Sequence, residues 1–192
     1  MLEVLPAGLG RVLRGARPGL EQLTFNDAAL AEIADTIAVT SPAFPEGGAL
    51  PVRFTADGEG LSPPLAWSGI PDNAVMVALL IEDADSPTPY PLVHAIVWEL
   101  PGADGSLDEA AMPVAAEVGS SPAMGVNSFL RLGYLPPDPP PGHGPHQYAF
   151  QVFALKARPT LETVAPGRTE LVDALRVYGV AKGMLVGTYE RV

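Results

Sequence analysis

A mainly β fold of the α+β class is predicted, on three observations. Five segments have strand length and strand composition, Gly- and Pro-rich clusters separate them, and one helical pattern stands alone near the C-terminus. In order, the segments are IAVT (37–40), LPVRFT (50–55), VMVALLIE (75–82), VHAIVWEL (93–100) and QYAFQVFAL (147–155). The clusters PEGG, DGEG, SGIPDN and PGADG lie between them. Such short connections favour antiparallel pairing over βαβ crossovers. Residues 74–81 form the longest strongly apolar run, the length of a buried strand. Before the first strand, Asn26 or Asp27 can cap a short helix through AALAEI. The late helix is expected over 169–182, capped by Thr169, striped by Leu171 and Leu175 and ended by Gly183. LVGTY then reads as a last short strand. The proline-rich stretch YLPPDPPPGHGP (134–145) reads as a stiff surface loop.

Composition sets the bounds. The chain has 192 residues, 47% hydrophobic and 17% charged, enough apolar material for a core. Its 22 prolines and 20 glycines fit a fold rich in turns. The absence of cysteine excludes disulfides, thiol nucleophiles and Cys-type zinc sites. A net charge of −11 opposes a broad nucleic-acid surface or adsorption to anionic lipid. No run reaches the roughly 18 apolar residues of a membrane helix. Glu3 and Pro6 interrupt the apolar start and the arginines follow it, so no signal peptide is expected and a cytoplasmic protein is the default. The organisation expected is an extension over 1–36, basic at 1–20, followed by one domain over 37–192. Arg11, Arg14 and Arg17 would share one side of a helix. Such an arm could dock on an acidic partner, on a second protomer or on its own acidic body, or remain a loosely ordered end.

Chemistry concentrates around the three histidines. His94 opens a strand, and His143 and His146 close the proline-rich loop. Asp83 and Asp85 end the apolar strand, and DSPTPYPLVH brings the chain back so that His94 could approach Asp83. In extended chain, alternate side chains share a face, which pairs His146 with Tyr148 and Asp83 with Asp85. A carboxylate can orient an imidazole and favour its charged form, and imidazole and phenol donors suit a phosphate or carboxylate ligand. The same residues could simply satisfy backbone groups at strand ends. His143 and His146 with Asp83 or Asp85 could ligate a metal, although a loop does not align an HxxH pair as a helix would. A serine hydrolase would need an activated nucleophile, and Ser62, Ser68 and Ser86 lack a G-x-S-x-G setting.

Four motifs in order resemble the phosphatidylethanolamine-binding protein family, in its bacterial Raf-kinase-inhibitor-like branch. DGEGLSPPLAWSGIP (57–71) resembles the family's DG-x-x-x-SPPL-x-W-x-G-x-P block. Residues 82–102 resemble its D-x-D-x-P … H signature, and 125–155 its G-x-N … GY … GPHRY signature. LVGTYER resembles its C-terminus. The resemblance implies a central antiparallel β-sheet, a smaller second sheet, a C-terminal helix and one small anion-binding pocket. Carried over by position, it implies Asp83, Asp85, Pro87, His94, Gly125, His146 and Tyr148 as pocket residues, with His143 a secondary candidate. Trp67 matches a packing tryptophan, and Ser86–Pro87 becomes a candidate cis bond. Gln147 departs from the family's usual arginine, Ala95 from a common tryptophan and Ala84 from a frequent proline.

The resemblance further implies a non-enzymatic binding protein without cofactor or metal. Its partner would be a small anionic ligand, such as a phosphorylated molecule or phospholipid headgroup, with neither nucleic acid nor stable membrane insertion. An inhibitor or scaffold of a kinase or protease is the alternative, a hydrolase using the Asp/His cluster a second, and a homodimer stays open. Two aspartates would repel an anion unless one of them holds a histidine as imidazolium, so affinity should fall as pH rises.

Overall fold

In the computed structural model, residues 7–160, 163 and 165–191 are described; residues 1–6 of the expected extension lie outside them. The run MVALLIED forms strand β4 (Met76–Asp83), buried at every position. A strand covered on both faces reads as continuous apolar sequence rather than alternation. Val77, Leu79 and Ile81 face one core with Phe44, Trp67, Val97, Phe150 and Val152. Met76, Ala78 and Leu80 face a second core with Leu23, Leu30, Ile96, Phe153, Leu171 and Leu175.

The strands around it are β1 (Ala34–Asp35), β2 (Ala38–Thr40), β3 (Leu65–Ser68), β5 (Leu92–Pro101), β6 (Gly105–Leu107), β7 (Ala123–Met124), β8 (His146–Leu155) and β9 (Gly179–Tyr189). Five of them join β4 in a six-stranded sheet, in the order β1-β9-β8-β4-β5-β7, and β2-β3-β6 form a smaller one. Pairing is antiparallel except where β1 runs parallel to β9. Helices α1 (Ala7–Leu13) and α2 (Arg168–Tyr178) complete the fold. Among the described residues, no helix is long and apolar enough to cross a membrane. The two-sheet, mainly β architecture expected from the sequence is the one observed.

Several local expectations are corrected. LPVRFT holds a 3-10 turn (Val52–Phe54), because Pro51 has no N–H for a ladder and the Thr55 hydroxyl bonds the Val52 carbonyl. AALAEI forms one 3-10 turn (Ala28–Leu30); Asp27 caps it through the Ala29 N–H, and Leu30 and Ile33 then draw the chain into the core. Helix α2 starts at Arg168, where Glu170 accepts the Gly167 N–H, so Thr169 lies inside it. It ends at Tyr178 because Ala181 and Lys182 already pair with Ala154 and Phe153 in β8. The arginine stripe does not share one helix: α1 stops at Leu13, before Gly15 and Pro18, and Arg14 and Arg17 follow it. The cis bond is Ser121–Pro122 rather than Ser86–Pro87, where the Thr88 N–H turns back onto the Ser86 carbonyl.

Residues 20–36 are held by buried charge as well as by Leu23 and Leu30. Glu82 is wholly buried, accepts from the Thr24 N–H (2.8 Å), the Thr24 hydroxyl and Gln151 Nε2, and forms an ion pair with Arg168, whose Nε–H donates to the Thr24 hydroxyl oxygen. Gln151 Oε1 accepts the Phe25 N–H, and Lys182 Nζ donates to the Phe25 and Leu30 carbonyls above the Phe25 ring.

Candidate functional site

At one end of the large sheet, Asp83 closes β4 opposite Tyr148 in β8 and Leu92 in β5. That register brings the end of β4, the start of β5 and the start of β8 together. The loops over 84–91 and 125–145 roof the space, a cavity of about 430 Å³. Asp83, Ser86, Pro87, Leu92, His94 and His146 line it from the strand ends, and Phe129, Arg131, Leu135, Pro136, Asp138 and Pro140 from the long loop.

His94 is fixed by a reciprocal pair: Leu135 N–H donates to the His94 carbonyl (2.8 Å), and His94 Nδ1 meets the Leu135 carbonyl at 2.6 Å. A carbonyl only accepts, so Nδ1 carries the proton and Nε2 of the neutral ring presents a lone pair. Burial lowers the pKa of His94, although nearby Asp83 opposes the shift, so the ring is neutral at pH 7. Among the described residues, His94 Nε2 has no hydrogen-bond partner. The Tyr148 hydroxyl, edge-on to His94 at a ring separation of 5.2 Å, has none either. Burial, and then Asp83, raises the pKa of Tyr148, which keeps its proton.

The hairpin return does bring His94 near Asp83, but the hydrogen bond of Asp83 goes to His146. The antiparallel register places the Asp83 side chain toward β8, where Oδ2 lies 2.7 Å from His146 Nδ1. His146 Nε2 lies 2.8 Å from His143 Nδ1, and His143 Nε2 lies 2.8 Å from the Leu13 carbonyl. This series ends on a carboxylate and a carbonyl, neither of which donates. Its three hydrogen bonds need three protons, whereas two neutral imidazoles carry two, so the series holds one proton beyond neutrality. Burial lowers the pKa of His143, and the charges of His146 and Arg17 add to this against the Leu13 bond. The extra proton is held within the series formed by Asp83, His146 and His143. Both His146 nitrogens are engaged, so its ring presents no free N–H to the cavity.

The other carboxylates are also paired. Asp85 sits behind the wall, where Oδ1 accepts from Arg17 Nη1 (2.9 Å) and Oδ2 from the Gln147 N–H and Nε2. Asp138 pairs with Arg191, which also holds Asp57. Arg131 is exposed at the rim.

The structure thus gathers Asp83, Pro87, His94 and His146 at the cavity, Tyr148 beneath His94, and Asp85 and His143 behind. Gly125 is elsewhere: its N–H bonds the Ile96 carbonyl, and a Cβ there would run into the Pro166 carbonyl and the Ile96 side chain. Close packing, not a place in the cavity wall, explains that glycine. Trp67 is buried in the first core with Nε1 on the Ala103 carbonyl. The HxxH pair turns its nitrogens on itself, and no group of three metal-ligating side chains is found among the described residues. The Ser86 hydroxyl pairs with Thr88. Sequence reasoning missed Arg131, Asp138 and the role of Arg17.

Two stacked sheets with a cavity of this make-up at their strand ends define a protein of the phosphatidylethanolamine-binding fold. The profile of that family, described as phosphatidylethanolamine-binding protein, matches residues 40–190, and the chain belongs to the family. Among solved structures it is similar to a homologue of that family from Chlamydia trachomatis, CT736 (TM-score 0.71, 30% identity, 83% of this chain and 100% of that one). It is also similar to YbcL of Escherichia coli (TM-score 0.73, 26% identity, 82% of this chain and 99% of that one). A UPF0098 protein of Methanothermobacter thermautotrophicus is 34% identical over 78% of this chain and 95% of its own length. LppC of Mycobacterium tuberculosis is 34% identical over 95% of this chain and 87% of its own. Membership supports a binding role.

Proposed function

We propose that the cavity binds a small organic anion, a phosphate monoester or a carboxylate, together with one proton. The observation that carries this reading is the pair of buried, unpartnered atoms, His94 Nε2 as acceptor and Tyr148 Oη as donor. A buried polar atom without a partner costs about 1–3 kcal/mol, which a ligand that satisfies both recovers. A monoprotonated phosphate or a carboxylic acid offers one donor and at least one acceptor on a single group. The pairing of Asp85 and Asp138 with arginines, and the hydrogen bond of Asp83 to His146, offset the repulsion that bare carboxylates would exert. Arg131 at the rim adds attraction, and Pro87, Leu92, Phe129 and Pro136 give an apolar wall for an organic substituent. NMR titration with methyl phosphate and with acetate at pH 6 tests the proposal. His94→Ala and Tyr148→Phe should each weaken binding at least about tenfold; wild-type affinity in both variants would overturn it.

A further inference from the structure

We propose that the N-terminal arm is a working part of this pocket and that Arg17 is its positioning residue. The proposal rests on the anion-pocket reading but is read out separately from it. The Asp85 side chain is only 6% exposed, and a carboxylate so buried requires a cation. Its charge partner is Arg17, whose Nη1 also donates to the Pro145 carbonyl (2.8 Å) and whose Nη2 donates to the His143 carbonyl (2.6 Å). One guanidinium therefore ties the loop after β4 to the residues on both sides of Gly144. That glycine is needed: its φ is +97°, and a Cβ would come within 3.1 Å of Arg17 Nη2.

The arm makes a second attachment four residues earlier. The Leu13 carbonyl accepts a hydrogen bond from His143 Nε2–H, which keeps the proton on Nε2 and leaves the Nδ1 lone pair facing His146. Helix α1 reaches this position because Gly10 lies against the Pro141 carbonyl, where a Cβ would not fit. The arm thus fixes the tautomer of one histidine and, through it, the proton on the histidine that lines the cavity. The charged or titratable groups facing the pair are Asp83 from β4, His94 from β5, Tyr148 from β8 and Arg17 from the arm, with Asp138 of the long loop reaching His94. The family profile begins at residue 40, whereas the similarity to LppC covers 95% of the chain, so the arm is an addition to the common domain. Gln147 already reaches Asp85 Oδ2 with its side-chain amide (3.2 Å), and a guanidinium at 147 could take over the role of Arg17.

The test uses the full chain in four forms: wild type, Arg17→Ala, Gly10→Ala and Arg17→Ala with Gln147→Arg. Imidazole 15N and N–H resonances across pH, recorded without ligand, report the histidine pair, and methyl phosphate titration reports the pocket. In Arg17→Ala, the His146 signals should change their pH profile and affinity should fall roughly tenfold, the effect of an orienting partner behind a ligand-contacting histidine. Gly10→Ala, which keeps every charge, should move both the same way. The double variant should restore the phosphate affinity. Unchanged His146 profiles in both single variants, or a double variant no better than Arg17→Ala, would overturn the proposal. Altered profiles in a wild-type background that binds no methyl phosphate would uphold the arm and sink the anion-pocket reading instead.

Discussion

The proposed anion pocket has a calculable signature in the proton that His94 would share with its ligand. Nδ1 of His94 is committed to the Leu135 carbonyl and burial keeps the ring neutral, so Nε2 accepts. A bound phosphate monoester must then bring one proton to that contact, whichever of the two atoms finally holds it. A free monoester loses its second proton near pH 6. About half is monoanionic at pH 6 and about 1% at pH 8, so the apparent Kd should rise roughly 50-fold between them, about 2.3 kcal/mol. Above pH 7 the slope should approach one decade per pH unit, and below pH 6 the affinity should level off. Calorimetry at pH 8 in two buffers of different ionisation enthalpy would count the proton directly, with close to one taken up per complex. His94→Ala should abolish both slope and uptake. An affinity that is flat or rises with pH, or binding without proton uptake, would refute the tautomer reasoning.

Three further outcomes concern stability. Glu82→Ala leaves Arg168, Gln151 and Thr24 facing an empty buried site and should cost about 3–5 kcal/mol in urea unfolding; under 1 kcal/mol would contradict the buried clasp. Tyr134→Phe removes the hydroxyl's bond to the Phe54 carbonyl outside the cavity lining and should cost about 1 kcal/mol while phosphate affinity stays constant. The bonds from Arg191 hold Asp57 below its ordinary pKa of 3.8. A depressed carboxylate stabilises the fold fully above the unfolded value and loses that effect as pH falls through the folded one. Asp57→Asn should therefore flatten the acid limb of the stability curve below about pH 4, and an unchanged limb would show that other carboxylates set it.

Strands with many apolar neighbours were legible in the sequence, because β4, β5 and β8 each carry eight or more residues of unambiguous composition. LPVRFT misled because Pro51 breaks the ladder that its β-branched residues advertise. The late helix was placed correctly but extended too far, since Ala181 and Lys182 suit a helix locally and are claimed by pairing with β8. At the site, spacing singled out His94, His146 and the aspartates, but not which aspartate meets which histidine. That assignment depends on cross-strand register, here Asp83 opposite Tyr148, which no single segment encodes. Gly125 was misplaced for a related reason: a glycine required by close packing carries the same letter as one required by a ligand. Arg17 lies 68 residues from Asp85, and nothing local in the sequence links them.

The parallel pairing of β1 with β9 and the grip of Lys182 on the Phe25 and Leu30 carbonyls put the two ends of the domain side by side. On a ribosome, residues 20–36 emerge long before their anchors Gln151, Arg168 and Lys182. Until then Leu23, Phe25, Leu30 and Ile33 have no sheet to cover, and long-range closure of this kind is slow. This segment must therefore wait until the chain through Lys182 is made, and the arm ahead of it can engage Asp85 and His143 only once that wait is over. Completion of the pocket is thereby made a late event in the birth of the molecule.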